Sequence, residues 1–229
     1  MESSPVTGWQ PLMFASDLSD ATVKAAQIGA QKLAIWRDSY GKIQAVEDRC
    51  PHRNMRLSLG FVRGDMLTCL YHGWRFDEHG QCRAIPAHPD ITPDDTTSVT
   101  TFPAVDYCGI IWGLTNKTDT RQSPAEEWHL PSVKTVTPVR TLLIQVPLKI
   151  AMKQFGSVPG RSVRLSETTG NGSILPLLLV ARSIGQNATQ LHVLLEDVAA
   201  SETCEQASLW AINFLSMAER NYAETDQNT

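Results

Sequence analysis

Two short segments constrain this chain more than anything else in it: Cys50-Pro51-His52-Arg53 and Cys69-Leu70-Tyr71-His72-Gly73-Trp74, each with one thiol and one imidazole close together. Sixteen residues separate His52 from Cys69, and they hold strand and turn material of their own: Phe61-Val62, the turn Arg63-Gly64-Asp65, then Met66 to Cys69. A chain that runs out and back in this way can set both segments on adjacent loops at one end of a sheet. The flanking sequence fits such a sheet. Lys32–Arg37 and Ile43–Glu47 flank Ser39-Tyr40-Gly41 as a hairpin, Asp77-Glu78-His79-Gly80 turns the chain again, and Val105 to Leu114 reads as a strongly apolar strand. Short strands broken by glycine-rich turns from Ala26 to Leu114 predict an antiparallel β-barrel or sandwich.

The five cysteines, Cys50, Cys69, Cys82, Cys108 and Cys204, are odd in number and widely spread. That is no disulfide framework, so they are expected as metal ligands or small buried apolar groups. The net charge is −4, and no basic run or arginine-rich stripe points to nucleic acid. The longest apolar stretch, Ile174 to Ala181, contains Pro176 and is too short to cross a bilayer. Met1-Glu2-Ser3-Ser4-Pro5 lacks the positive start and apolar run of a secretory signal, so a cytoplasmic protein without membrane contact is expected. Asn187-Ala188-Thr189 then matches a glycosylation acceptor only by chance.

From Thr115 to Pro131 the sequence turns polar, which predicts a linker over residues 117–131 between domains at 1–116 and 132–229. Strand candidates follow at Arg140–Val146, Arg161–Glu167, Ser173–Arg182 and Gln190–Glu196. Thr169-Gly170-Asn171-Gly172 resembles a phosphate-binding loop, but no helix follows it, and Asn-Gly between strands is a tight-hairpin turn. The chain closes with a helix that Ser201 or Thr203 could cap. Ala207, Trp210, Ala211, Phe214, Met217, Ala218 and Tyr222 recur along it at spacings of three and four, as for one face packed on a sheet.

Two thiols and two imidazoles suit a [2Fe–2S] cluster, with the cysteines on one iron and the histidines on the other. Replacing two thiolates by neutral imidazoles removes negative charge and raises the reduction potential. Tetrahedral zinc is the alternative, but zinc sites usually pair like ligands, and here each arm mixes them as Cys-x-His and Cys-x-x-His.

These segments, with Arg75-Phe76-Asp77, Gly80, Ile85-Pro86-Ala87 and the early Gly8-Trp9-Gln10-Pro11-Leu12, resemble the N-terminal domain of Rieske non-haem iron oxygenases over roughly residues 8 to 115. Respiratory-chain Rieske proteins are less similar, since Arg53–Leu57 and Leu70–Tyr71 lack the extra cysteines of their ligand loops. Asn54 and Leu70 stand where this family commonly has Gly and Pro, and neither is expected to touch a ligand. The resemblance implies one cluster per chain, on Cys50, His52, Cys69 and His72, and a mainly β fold: a Rieske antiparallel β domain, then a reduced α+β, helix-grip-like domain with the C-terminal helix.

In the resembled oxygenases the second domain binds a mononuclear iron through two histidines and a carboxylate. This chain has no Asp-x-x-His-x₄-His element, and Leu148 to Gly156, where it would lie, holds no ligand side chain. His79 and His88 belong to the Rieske part, while His129 and His192 read as surface or core residues. No mononuclear iron is therefore expected. The expected function is an electron-transfer or auxiliary subunit, not catalytic alone, in a hetero-oligomer with a catalytic oxygenase subunit and a ferredoxin or flavin reductase. The alternatives are a free-standing Rieske ferredoxin and a redox-sensing small-molecule binding protein, for which the Ile174–Ala181 strand would line the pocket.

Overall fold

The structure is a computed structural model that describes residues 7–115, 122–130, 135–155, 162–169 and 172–226. The chain divides into two compact units: Ser4–Asp106 with Ile111–Arg121, and Tyr107–Ile110 with Gln122–Thr229.

The first unit opens with β1 (Gln10–Phe14), β2 (Thr22–Ile28), β3 (Gln31–Arg37) and β4 (Ile43–Glu47), and continues with β5 (Phe61–Arg63), β6 (Met66–Thr68), β7 (Arg75–Phe76) and β8 (Cys82–Ala84). Then come β9 (Thr101–Phe102), β10 (Ala104–Tyr107) and β11 (Ile110–Gly113). The sheets run β2-β3-β4-β9, β5-β6-β7-β8 and β1-β11-β10. The apolar stretch from Val105 to Leu114 is thus two strands. Cys108 and Gly109 between them both take positive φ, 50° and 65°, which turns the chain back on itself.

Strand β3 explains how the unit is layered. Leu33, Ala34, Ile35 and Trp36 are all buried, although side chains alternate along a strand. Leu33 and Ile35 join Leu12, Leu18, Ala45 and Ile111 in one core. Ala34 and Trp36 face the other way, into a core with Cys50, Leu67, Cys69 and Phe76. The β2-β3-β4-β9 sheet therefore has an apolar layer on each face, and one of these layers contains both motif cysteines.

The second unit contains α1 (Pro124–Trp128), β12 (Val136–Ile144), α2 (Leu148–Ala151), β13 (Ser162–Thr168), β14 (Ile174–Ile184), β15 (Ala188–Glu196) and α3 (Ser201–Asp226). The expected linker is partly outside the described residues. Its described part holds α1, which Ser123 starts with a reciprocal cap: Ser123 Oγ accepts from Glu126 N, and the Glu126 carboxylate accepts from Ser123 N. A polar composition concealed this helix because most of its residues are capping and first-turn residues.

The sheet order is β12-β15-β14-β13, all antiparallel. Strands β13 and β14 pair from Ser162↔Val180 to Thr168↔Ile174, as a hairpin requires, though Gly170 and Asn171 at its tip lie outside the described residues. Leu175, Leu177, Leu179 and Ala181 belong to the core under α3, so this strand is packed structure, not a pocket wall. Helix α3 lays Ala207, Ala211, Phe214 and Ala218 onto that core, with Trp210 and Tyr222 at its margins. Met217, expected in the same stripe, is 41% exposed. Ser201 already lies inside the helix, where Ala200 O accepts from Cys204 N, so it does not serve as the residue before the first turn.

Phe214 stacks between Phe155 and Trp210, with ring centroids 5.2 and 5.6 Å away. Phe214→Ala should cost about 3–5 kcal/mol, as buried Phe-to-Ala changes do. Leu209→Ala, on the solvent side of α3, should change stability by less than about 0.5 kcal/mol. Urea denaturation of both variants checks the assignment of faces, and equal losses would contradict it.

Candidate metal centre

Two loops, the first after β4 and the second between β6 and β7, carry the four candidate ligands. They share one backbone design. Cys50 N donates to Met55 O (2.8 Å) and Asn54 N to Cys50 O (2.9 Å). Cys69 N donates to Trp74 O (2.9 Å) and Gly73 N to Cys69 O (3.1 Å). In both loops the residue four after the cysteine is left-handed, Asn54 at φ 57° and Gly73 at φ 71°. Asn is one of the few side-chain-bearing residues that adopt this region routinely, so it serves where glycine would. The expectation that Asn54 touches no ligand needs correcting: its N–H holds the carbonyl of Cys50. Asn54 Oδ1 also accepts from Arg49 Nε at 2.7 Å.

Each loop is also pinned from outside. The buried Asp48 carboxylate accepts from Ser58 N (2.7 Å), Ser58 Oγ (2.7 Å) and Arg56 Nε (3.0 Å), which ties the start of the first loop to its return. In the second loop a Cβ on Gly73 would lie 3.0 Å from Pro86 Cγ, so the Pro86 ring packs directly on its backbone. A Cβ on Gly60 would lie 2.1 Å from Thr68 O, an approach only glycine permits. Sequence reasoning missed Asp48. A buried Asp with Ser ten residues on and Arg eight residues on leaves no local pattern to read.

These loops divide the four candidate ligands into two pairs. Cys50 and Cys69 are buried and face each other as neighbours. Burial, with the added repulsion of Cys69, pushes the Cys50 thiol up to about 11. His52 and His72 are exposed, with ring centroids 4.6 Å apart at 63°. Trp74 stacks on His52 at 4.7 Å and 3°, and Tyr71 lies against His72 at 4.0 Å. Desolvation, then the charges of His72 and Arg53, lower the His52 pKa, favouring the neutral ring a metal requires.

The arrangement fits a binuclear group. A single tetrahedral ion needs all four donors around one point, whereas here the sulfur pair is buried and the nitrogen pair is exposed. Two sulfur donors inside and two nitrogen donors outside match two irons with different ligands. The other candidates lie elsewhere. His79 is in the Asp77–Gly80 turn beside Glu78, and His88 is on an exposed loop. In the second unit, His129 ends α1, exposed and left-handed, while His192 is buried in β15 with Nδ1 2.9 Å from Thr141 Oγ1.

Residues 8–103 match the family described as the Rieske [2Fe-2S] domain. This chain carries a Rieske domain. Such a domain implies a [2Fe–2S] cluster. The chain is 42% identical over 113 residues to oxidoreductase NdmD of Pseudomonas putida, a match covering 49% of this chain and 19% of that protein. It is 39% identical over 108 residues to the 4beta-methylsterol monooxygenase of Methylococcus capsulatus, covering 45% and 29%. The match thus spans less than a third of either relative. The fold extends further. NdmB of Pseudomonas putida CBB5 superposes with a TM-score of 0.70 at 20% identity over 92% of this chain and 81% of that one. Dicamba monooxygenase gives 0.64 at 15% identity, over 97% and 89%. No helix among the described residues is long and apolar enough to cross a membrane.

Two predictions follow from the loops. Asn54→Val should cost about 1–2 kcal/mol through left-handed strain, while Asn54→Gly stays within about 0.5 kcal/mol; thermal unfolding separates them. Asp77, in the turn after the second loop, is pulled upward by burial. Its bonds from Arg83 Nε (2.6 Å), Gln81 N and His79 N outweigh this and hold it below the usual carboxylate range. A carboxyl with a lowered folded-state pKa adds stability above its unfolded pKa and loses it as pH falls through the folded one. Asp77→Asn should therefore cost about 1 kcal/mol near neutral pH, and the difference should vanish in strong acid. A penalty independent of pH would show that the charge is irrelevant.

Proposed function

We propose that Cys50, His52, Cys69 and His72 hold the cluster, cysteines on one iron and histidines on the other, and that the chain carries single electrons as an auxiliary component of a Rieske-type oxygenase. The segregation of the ligands supports this reading: the two cysteines are buried and the two histidines are exposed with their rings 4.6 Å apart. When bound, such a cluster accepts and releases one electron without breaking a bond to the protein.

The chain's own residues supply the remainder. The first unit's core buries the cysteine side and keeps water from it. Trp74 fixes the plane of the His52 ring, and the left-handed turns at Asn54 and Gly73 fix where each loop reverses. The imidazole edges remain on the surface, where a partner can approach them closely. Several relatives are named as oxygenase components or subunits, among them those of a chloroacetanilide N-alkylformylase and a 3-chlorobenzoate-3,4-dioxygenase. By that kinship the partners are a catalytic oxygenase subunit and a reductase, in a hetero-oligomer. The second unit supports an auxiliary role because its only histidines are His129 and His192 and no Asp-x-x-His-x₄-His element occurs. On this reading the chain holds no mononuclear iron.

Anaerobic reconstitution should give a red-brown protein with two irons and two sulfides per chain. Cys82→Ser, Cys108→Ser and Cys204→Ser should retain the visible spectrum, and Cys50→Ser or Cys69→Ser should abolish it. His52→Cys should lower the midpoint potential, since a thiolate adds negative charge. Zinc in place of iron, or a third iron per chain, would sink the assignment.

A further inference from the structure

The two edges of the second unit's sheet are not alike. An edge strand presents a row of backbone N–H and C=O groups to any other strand, and native sheets blunt such edges with proline, bulges or covering elements. Strand β12 has all three. It contains Pro138, its register shifts between Pro138 and Arg140, and α3 is tied along it. Arg140 Nε donates to Ser208 Oγ (2.8 Å), and the Glu219 carboxylate accepts from Gln145 N (3.0 Å). Strand β13 has none of them. It lacks proline, and its pairing with β14 is regular from Ser162↔Val180 to Thr168↔Ile174. Among the described residues no backbone hydrogen bond reaches it from its outer side. Its only cation, Arg164, is drawn back along its own sheet to Glu196. The side chains are open as well. Arg164, Ser166 and Thr168 are exposed on one face, while Val163 and Leu165 pack against the core under α3 yet stay only half-buried.

This edge is complementary to itself. When two copies of β13 pair antiparallel, only the register centred on Leu165 matches all seven residues. It sets Leu165 against Leu165, Val163 against Glu167, Arg164 against Ser166 and Ser162 against Thr168. Residues directly opposite share a face of the sheet, so the two leucines meet on the α3 side, where each copy's core is incompletely covered. No two like charges stand opposite each other. A slip of one residue would turn the α3 side of one copy to the bare side of the other, and a slip of two toward the N-terminus would set Arg164 against Arg164.

We infer that the second unit binds a second copy of this chain through β13, joining two four-stranded sheets into one of eight strands about a two-fold axis at Leu165. The contact is the same patch on both copies, so each unlike residue pair occurs twice and the leucine pair once. Seven residues per strand bury less than the ~1,200 Å² at which stable interfaces begin. The dimer therefore forms and parts with concentration and is not permanent. None of these contacts uses the four candidate cluster ligands.

The test uses the full chain with its cluster reconstituted. Sedimentation equilibrium from micromolar to several hundred micromolar should show a monomer–dimer equilibrium. Ser166 is exposed, so substitutions there change charge with little effect on packing. Ser166→Lys sets a cation opposite Arg164 twice per dimer and should weaken association about threefold or more. Ser166→Glu sets an anion there and should tighten it by a similar factor. Leu143→Lys, at an exposed position on the other edge strand, should leave the equilibrium where it is. Amide hydrogen exchange should slow in β13 as concentration rises, and should not change in β12. An unchanged far-ultraviolet circular dichroism spectrum in each variant confirms that the sheet is intact. A chain that stays monomeric throughout, a dimer that responds to neither Ser166 substitution, or one that Leu143→Lys weakens overturns the inference.

Discussion

The left-handed turn four residues after each cysteine is the constraint on which the site depends. Asn54 at φ 57° and Gly73 at φ 71° let the fourth residue's N–H return to the cysteine carbonyl and bring Met55 O and Trp74 O within reach of the cysteine N–H. Each cysteine is thus held by its backbone on both sides, leaving its side chain free to point inward. Because one loop is Cys-x-His and the other Cys-x-x-His, the same turn delivers the histidines at different steps, yet their rings still meet 4.6 Å apart.

Burial then separates the two kinds of candidate ligand. The core beneath Cys50 and Cys69 is shared with Ala34 and Trp36 of β3, whose other face packs into a second core. A strand that is apolar on both sides costs solubility if it is left open, so the flanking sheets are needed to cover it. The exposed loops consequently stand on a base that is filled on both faces. Asp48 secures the join between base and loop. Its buried carboxylate receives three bonds, two of them from Ser58, which offsets the desolvation that an unpaired charge would suffer there.

The sequence made the candidate site legible because ligand chemistry is local: two thiols and two imidazoles at short spacing stay recognisable in any context. It also exposed β3 and β4 as a hairpin and the α3 stripe from Ala207 to Ala218. What it hid was long-range or conformational. The reversal at Cys108-Gly109 was lost in an apolar run because Cys has no turn preference to announce it. Helix α1 was lost in a polar one because its signals are cap residues. The bond from Asn54 N to Cys50 O could not be seen either, since a backbone hydrogen bond leaves no mark on residue type.

The second unit bears on function through what fills it. The space between the sheet and α3 is occupied by Leu177, Leu179, Leu191, Val193 and Phe214, interlocked with Phe155 and Trp210. A close-packed aliphatic and aromatic layer of this kind stabilises a unit by itself, since burying each large side chain contributes about 1.5–3 kcal/mol. His192 lies on the opposite face of the sheet, beside Val180 and Thr141. The packing that fills this space contrasts with the first unit, where the two loops bring Cys50 and Cys69 together inside and His52 and His72 together at the surface.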